Sequence, residues 1–467
     1  MYGFGNFSYN DYLFLDLSVR NDWSSSLPKE NNSYLYYSAS SGLIFTDLLK
    51  INSDVLSYGK LRVGLAQVGN DTNPYQLRAT YTSQTPANGN PSYEESGALP
   101  NAELKPEIST SFEVGTELKF LLNRVGLDLT YYNTNSENQI LPIQLSNTTG
   151  YSTRIINAGL IQNNGFEAVL HLTPVKNTKG LTWDVDVNWS ANRSTVKELY
   201  TDPQSGQEIN SYVMASQYVT VEARVGERMG AMYGIGFVRV SADPASKYYD
   251  KTGEHVGEIV YSSNGKPLAT TERIKLGNYN PDWLAGLRNT LSYKGLSLSV
   301  LFDHRQGGKI YSHTQTVGRE GGIIIETLEG RADGYDLTKE GNGVIGDGVV
   351  QNADGTFSDN TTKLSAREWH TSITLGRRLI EPMMYDATFT KLREVQFSYT
   401  LPNKLTSKLK IKDVNISLVG RNLMLWSKVP HVDPETSATS GGTIIPGVEA
   451  VAIPSTRSFG VNLGLKF

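Results

Sequence analysis

The chain has 467 residues, 39% of them apolar, no Cys and a formal net charge of -4. The absence of Cys excludes disulfides, zinc-thiolate sites and thiol chemistry, and the small net charge, with no basic stripe, gives nucleic acid no footing as a partner. No run of about 18 apolar residues occurs, which excludes a membrane-spanning helix but not a membrane barrel, whose strands need apolar residues only at alternate positions.

Residues 1–20 lack the basic start, continuous apolar core and small-residue cleavage site of a signal peptide, and already read as strand. An exported protein carries such a signal, so the chain is expected to begin inside a longer one. A short strand at 2–9 precedes one in which Leu13, Leu15, Leu17 and Val19 alternate with Phe14, Asp16, Ser18 and Arg20. That period of two is the pleat of a strand. Strands follow at about 34–46 and 58–69, then a loop rich in Asn, Pro, Gly and Ser at 70–105. Strands at 108–119 and from 125 form the next pair, and 163–173 with 181–194 the pair after it. In the last of these, Leu181, Trp183, Val185, Val187 and Trp189 oppose Thr182, Asp184, Asp186, Asn188 and Ser190. Two acids and an amide on one face suit a wet lumen better than a dry core. Later pairs are 283–293 with 295–304 and 385–399 with 412–426. Lys391 and Arg393 share a parity with Phe389, Val395 and Phe397, which predicts a bulge or a misplaced boundary there. The chain closes on 456–467, where Phe459, Val461, Leu463, Leu465 and Phe467 share one face.

These make roughly thirteen strands, and the connections alternate in length. Short ones fall near 10–11, 47–57, 121–124, 174–180, 293–295 and 400–411; long ones at 22–33, 70–105, 138–162, 195–282, 305–384 and 427–455. An outer-membrane barrel has short periplasmic turns and long extracellular loops. The expected fold is therefore all-β, an antiparallel up-and-down transmembrane β-barrel whose long loops are extracellular. Aromatic belts then fall at strand ends, with Tyr12, Phe120, Trp183, Tyr293 and Tyr399 on one side and Trp23, Trp283 and Trp426 on the other. The alternative is a secreted or surface β-rich adhesin or glycan-binding module, in which the apolar faces pack against each other. A glycoside hydrolase would need two carboxyls facing across about 5–10 Å of a cleft. Asp184 and Asp186 sit two apart on one face and point the same way, so they read as lumen lining.

Several stretches resemble the SusC/RagA family of TonB-dependent outer-membrane transporters of Bacteroidetes. They are K-L-R-V-G-L-A-Q-V-G-N-D at 60–71, L-K-P-E-I-S-T-S-F-E-V-G-T-E at 104–117, N-N-G-F-E at 163–167, N-P-D-W at 280–283 and Y-K-G-L-S-L-S-V at 293–300. T-K-L-R-E-V-Q-F-S-Y-T-L-P at 390–402, G-R-N-L at 420–423 and R-S-F-G-V-N-L-G-L-K-F at 457–467 complete the set. The last also resembles the C-terminal signal that the barrel assembly machinery recognises. The resemblance implies a barrel of twenty-two strands, of which residues 1–467 supply roughly the last thirteen, with plug, TonB box and first strands absent. It implies import of glycans, oligosaccharides or peptides under a SusD-like surface lipoprotein, driven by the TonB complex through that missing region, in outer-membrane lipid. Such a part is expected not to transport alone and to perform no catalysis.

Other motifs carry less. Gly341, Gly343 and Gly346 satisfy G-x-G-x-x-G without a strand before or a helix after, so a glycine-rich loop is the plain reading. Six scattered His give no metal spacing, and no cofactor is implied. Asp347, Asp354 and Asp359 lie in the long loop 305–384; the full EF-hand pattern is missing, so they read as solvated acids, with calcium as the alternative. Aromatic platforms suit sugar rings, and Tyr279, Trp283, Tyr311, Tyr335 and Trp369 are candidates by location, each with loop packing as the alternative role.

Overall fold

The computed structural model describes residues 1–144, 147–177, 179–201, 206, 208–332, 336–402, 411–440 and 443–466. Its framework is one sheet in which thirteen strands follow each other in chain order, each antiparallel to the next. They are β1 (Tyr2–Tyr9), β2 (Leu13–Trp23), β3 (Ser33–Ile44), β4 (Leu56–Asn70), β5 (Glu107–Phe120), β6 (Val125–Gln144) and β7 (Thr153–Lys176). Then come β8 (Leu181–Glu198), β9 (Trp283–Tyr293), β10 (Leu296–Gln306), β11 (Phe389–Thr400), β12 (Asp413–Ser427) and β13 (Ser458–Lys466). A two-residue strand, Ala98–Leu99, adds parallel to the start of β7. Among the described residues β1 pairs in this sheet with β2 alone and β13 with β12 alone.

The apolar faces of these strands point outward. Leu13, Leu15, Leu17 and Val19 of β2, Leu61, Val63 and Leu65 of β4, and Leu296 and Leu298 of β10 are all exposed. On β13, Phe459 is 80% exposed and Leu463 58%. In water each such side chain would forgo about 2 kcal/mol of burial; against lipid it forgoes nothing. This is the opposite of the packed faces that a soluble surface module requires. Phe467 lies outside the described residues.

The expected bulge is at Arg393. In the pairing of β10 with β11, Leu301 meets Glu394 and the neighbouring Phe302 meets Leu392, so Arg393 is the extra residue. The same break recurs against β12, between Leu392 and Glu394. One inserted residue reverses the parity of everything beyond it. Phe397 therefore faces outward while Lys391 joins the polar face, opposite Asp303.

Two expectations change. The stretch 138–162 is largely strand, because Gln139–Gln144 pairs with Thr153–Ala158 and lengthens the β6–β7 hairpin. β7 has 24 residues, roughly 80 Å at the usual rise, far more than an apolar band of about 25 Å needs. Beyond that band no alternation is required, so periodicity carries no signal there. The other long connections are also structured. Residues 70–105 hold a hairpin, Tyr81–Ala87 with Asn90–Glu95. Residues 195–282 hold a four-stranded sheet built from Ser211–Gln217, Val219–Arg224, Ala231–Gly234 and Ile274–Asn278. Residues 305–384 carry two helices, α1 (His313–Gly321) and α2 (Ala366–Ser372), the second started by a Ser365–Glu368 capping box.

The main hydrophobic core lies in these connections. Val219, Val221, Met232, Tyr311, Ile373, Ile380, Met383, Ile445 and Val448 form one buried cluster drawn from 195–282, 305–384 and 427–455. The molecule is apolar outside along its sheet and apolar inside among its loops.

Candidate functional site

Along the inner face of the sheet, polar side chains satisfy one another across strands. Ser109 bonds Ser136 at 2.8 Å, Ser111 bonds Thr134 at 3.0 Å, Ser292 bonds Ser297 at 3.2 Å and Ser398 bonds Ser417 at 2.9 Å. Arg62 donates both terminal nitrogens to Asp128, at 2.8 and 2.5 Å, a bidentate geometry that fixes both side chains. Asp186 meets His171 Nδ1 at 2.6 Å and Asp184 accepts from Thr173 at 2.8 Å. The two acids thus serve as wall lining, each with its own partner. A face dense in such groups holds water against it, which is what a lumen does.

The last long loop is fastened to this face by charge. Lys391 Nζ lies 2.8 and 2.7 Å from the two Asp433 oxygens and also meets Glu435. Arg393 bonds Glu435 through both terminal nitrogens, at 2.9 and 2.7 Å, and reaches Asp303 at 2.7 Å through Nε. Burial works to raise the Asp433 carboxyl, but Lys391, Ser455 and the Glu435 N–H together hold it below its ordinary value. Glu435 behaves alike, with Arg393 and Lys391 outweighing its burial. The sequence signal for this cluster was the broken parity at Lys391 and Arg393; nothing marked Asp433 and Glu435 as their partners.

Further contacts tie the loops to one another. Glu381 accepts from the Phe237 N–H at 2.7 Å and from Arg239 at 2.5 Å. Buried Glu449 accepts from Ser312 at 2.7 Å and Thr314 at 2.6 Å, and Glu326 meets His431 at 2.8 Å.

Of the five aromatic candidates, three converge on one place. Tyr311 belongs to the buried loop cluster, and Tyr279 and Trp369 pack against it, half-buried. Tyr311 is fully buried; its hydroxyl lies 2.9 Å from Thr316 Oγ1 and burial pushes its phenol up to about 12. Its ring therefore offers no face to a ligand as the loops stand. Trp369 stacks on Tyr261 at 6.4 Å between centroids. Tyr279 lines a cavity of about 240 Å³ with Arg305, Lys309 and Glu435, next to the charged fastening. Trp283 stands apart at the start of β9, its ring 4.8 Å from that of His304. Tyr335 lies outside the described residues.

The remaining motifs are structural here. Gly343 takes a φ of 74° and its N–H bonds the Gly330 carbonyl at 2.9 Å. Gly346 lies against the Tyr261 ring, where a Cβ would stand 2.5 Å from Cζ. Asp354 accepts from the Thr356 N–H and hydroxyl of its own turn, at 3.0 and 2.6 Å. Among the described residues no three His, Asp or Glu gather as a metal site.

Comparison with known proteins adds to this geometry. A family model described as TonB dependent receptor-like, beta-barrel matches residues 1–335. TonB-dependent receptors P3 and P26 of Formosa agariphila are each 25% identical, over 100% and 99% of this chain and 45% of their own length. The chain thus spans a little under half of the curated relatives it matches. Among solved structures, the RagAB peptide transporter superposes with a TM-score of 0.73 at 18% identity, covering 99% of this chain and 47% of that one. The RagAB peptide importer in its open-open state gives the same TM-score over 100% and 46%. At this identity the likeness is one of fold.

Proposed function

The chain belongs to the TonB-dependent receptor β-barrel family, a family of the outer membrane, and we propose that it forms the wall and surface loops of a transporter that takes up an oligomeric nutrient, a glycan, an oligosaccharide or a peptide. One observation carries the reading. The thirteen strands turn apolar side chains outward and polar, mutually bonded ones inward, while the loops build their own core at one end. Such a molecule is a lipid-embedded wall around water with a structured mouth. The long loops are extracellular in this reading, and solute contacts come from them and from the upper inner face.

Residues 1–467 correspond to the C-terminal part of the barrel. Strand edges left unpaired in a bilayer are costly, so the wall works as part of a whole barrel. Energy-coupled passage requires a plug and a TonB box, and wall and loops alone do not transport. The partners in this reading are a SusD-like lipoprotein over the mouth, the TonB complex beneath and the assembly machinery that reads the last strand, with no catalytic step.

The test is deletion of the gene followed by uptake of labelled oligosaccharides and peptides. Loss of uptake of one class, restored by the gene, with the product in the carbonate-resistant outer-membrane fraction, is the expected result. Unchanged uptake of both classes, or recovery of the protein as a soluble secreted species, would sink the proposal.

A further inference from the structure

Within the loop 305–384, a cavity of about 480 Å³ opens between α1, α2 and the turn after α1, a size at which small-molecule sites are common. Its lining includes Arg319, Arg331, Arg367 and His370, with Gly322 and Leu337. His370 is buried to 1% exposure and Arg319 is half-buried, whereas Arg331 and Arg367 are exposed. The first two make the floor of the cavity and the other two its rim.

The floor has donors without acceptors. Arg319 Nη1 donates to His370 Nδ1 at 3.2 Å. Burial first, and then the Arg319 charge, push the His370 imidazole down, so the ring is neutral near pH 7. A neutral ring that accepts at Nδ1 carries its hydrogen on Nε2. That Nε2–H has no hydrogen-bond partner, and neither has the Nε–H of Arg319. The Glu329 carbonyl faces the ring and the Tyr385 hydroxyl faces the Arg319 guanidinium, but neither makes a well-formed hydrogen bond to these two atoms. Two buried donors so poorly satisfied favour a ligand rich in acceptors.

The charges agree. The acid in the lining, Glu320, is engaged by Arg377 at 2.7 Å and by Thr374 at 3.2 Å. Glu326 is taken by His431, and Glu329, also near the ring, is exposed. Among the described residues no carboxylate forms an ion pair with Arg319, Arg331 or Arg367. Three guanidinium groups around open donors form an electropositive funnel, and guanidinium matches carboxylate and sulfate oxygens two at a time.

We propose that this cavity binds an oxyanion group, a carboxylate or a sulfate, carried by a solute unit about the size of one sugar or one amino acid. Arg319 and His370 hold the oxygens at the floor, and Arg331 and Arg367 draw the charge in from the rim. The site goes beyond the uptake reading and stands without it.

The experiment uses the receptor purified intact from the outer membrane into detergent. It is titrated by calorimetry at constant ionic strength with sodium sulfate, sodium acetate and, as reference, sodium chloride. Saturable binding of sulfate or acetate, absent with chloride, is expected, and an Arg331→Gln/Arg367→Gln double variant should weaken it at least fivefold. Arg319→Gln should abolish it, but that change also removes the bond to His370 and disturbs the loop, so the exposed double variant is the deciding one. Sulfate alone assigns the site to sulfate esters, acetate alone to carboxylates, and both to oxyanions in general. Absence of saturable binding by either anion, or an unchanged affinity in the double variant, overturns the proposal.

Discussion

Lys391 stands within 2.8 Å of both carboxylate oxygens of Asp433, a residue 42 positions further along the chain, and both side chains are almost wholly buried. A strand of the wall and the last long loop are thereby joined by a desolvated ion pair. Removing one member of such a pair leaves a buried charge without compensation, at about 3–5 kcal/mol. Lys391→Met should release the loop 427–455 from the wall, seen as faster proteolytic cleavage within it at unchanged outer-membrane assembly. A Lys391→Met/Asp433→Leu double variant should recover most of the protection. Equal cleavage in wild type and Lys391→Met would show that the pair does not hold the loop.

The same cluster sets an acid dependence. The carboxyls of Asp433 and Glu435 lie below their ordinary values of 3.8 and 4.5. A group depressed in the folded state adds stability that is complete above its unfolded value and is lost as pH falls through the folded one. Attachment of the loop should therefore be constant from neutral pH down to about 5 and weaken below about 4. Proteolysis with an acid-stable protease at a series of pH values reads this directly. In the Lys391→Met variant the acid step should shrink.

Tyr311 links the loops through burial. Truncating a fully buried aromatic side chain costs about 3–5 kcal/mol, so Tyr311→Ala should loosen Val219, Val221 and Val448 together, its companions in the loop core. Tyr311→Phe, which loses one hydrogen bond to Thr316, should cost about 1 kcal/mol. Hydrogen exchange at those three positions separates the two variants, while the sheet amides should keep their protection in both.

Neighbouring positions on β10 test which face meets lipid. Leu298 is exposed on the outer face, whereas Ser297 bonds Ser292 on the inner one. A lysine on the lipid face costs about 2–4 kcal/mol at the bilayer midplane and about 0–1 kcal/mol near an interface. Leu298 lies just inside the end of β10 that Tyr293 marks, so a modest cost is expected. Leu298→Lys should lower the heat-modifiable, folded fraction in the outer membrane, and Ser297→Lys should leave it nearly unchanged. Equal losses would contradict the assignment of faces.

Gly165, in the stretch N-N-G-F-E, shows why a small residue stands in a wall strand. It pairs with Tyr132, whose ring lies across it; an added Cβ would stand 2.5 Å from Tyr132 Cζ and 2.7 Å from the Ala191 carbonyl. Gly165→Ala should destabilise the folded barrel by about 1–3 kcal/mol, measured by urea unfolding in detergent. Tyr132→Ala should relieve only the ring's share of the penalty, because the Ala191 backbone carbonyl stays 2.7 Å from the added Cβ.

The sequence by itself determined the wall. Lipid imposes a strict alternation on every strand that crosses it, so thirteen strands, the outward faces of Leu13 to Val19 and Phe459 to Leu465, and even the bulge beside Arg393 could be read from parity. Where lipid ends, that constraint ends too. The extension of the β6–β7 hairpin, from Gln144↔Thr153 to Gln139↔Ala158, is a local pairing that needs no alternation beyond the lipid. The burial of Tyr311 against Val219, Val221 and Val448, by contrast, follows from contacts between segments about 90 to 230 positions apart, which no local pattern encodes. The pairing of Lys391 with Asp433 and the cavity around Arg319 and His370 are of the same kind. Each residue alone reads as a solvated charge, and only the folded loops bring them together and strip their water, because the energy that selects those partners exists only once the chain has closed on itself.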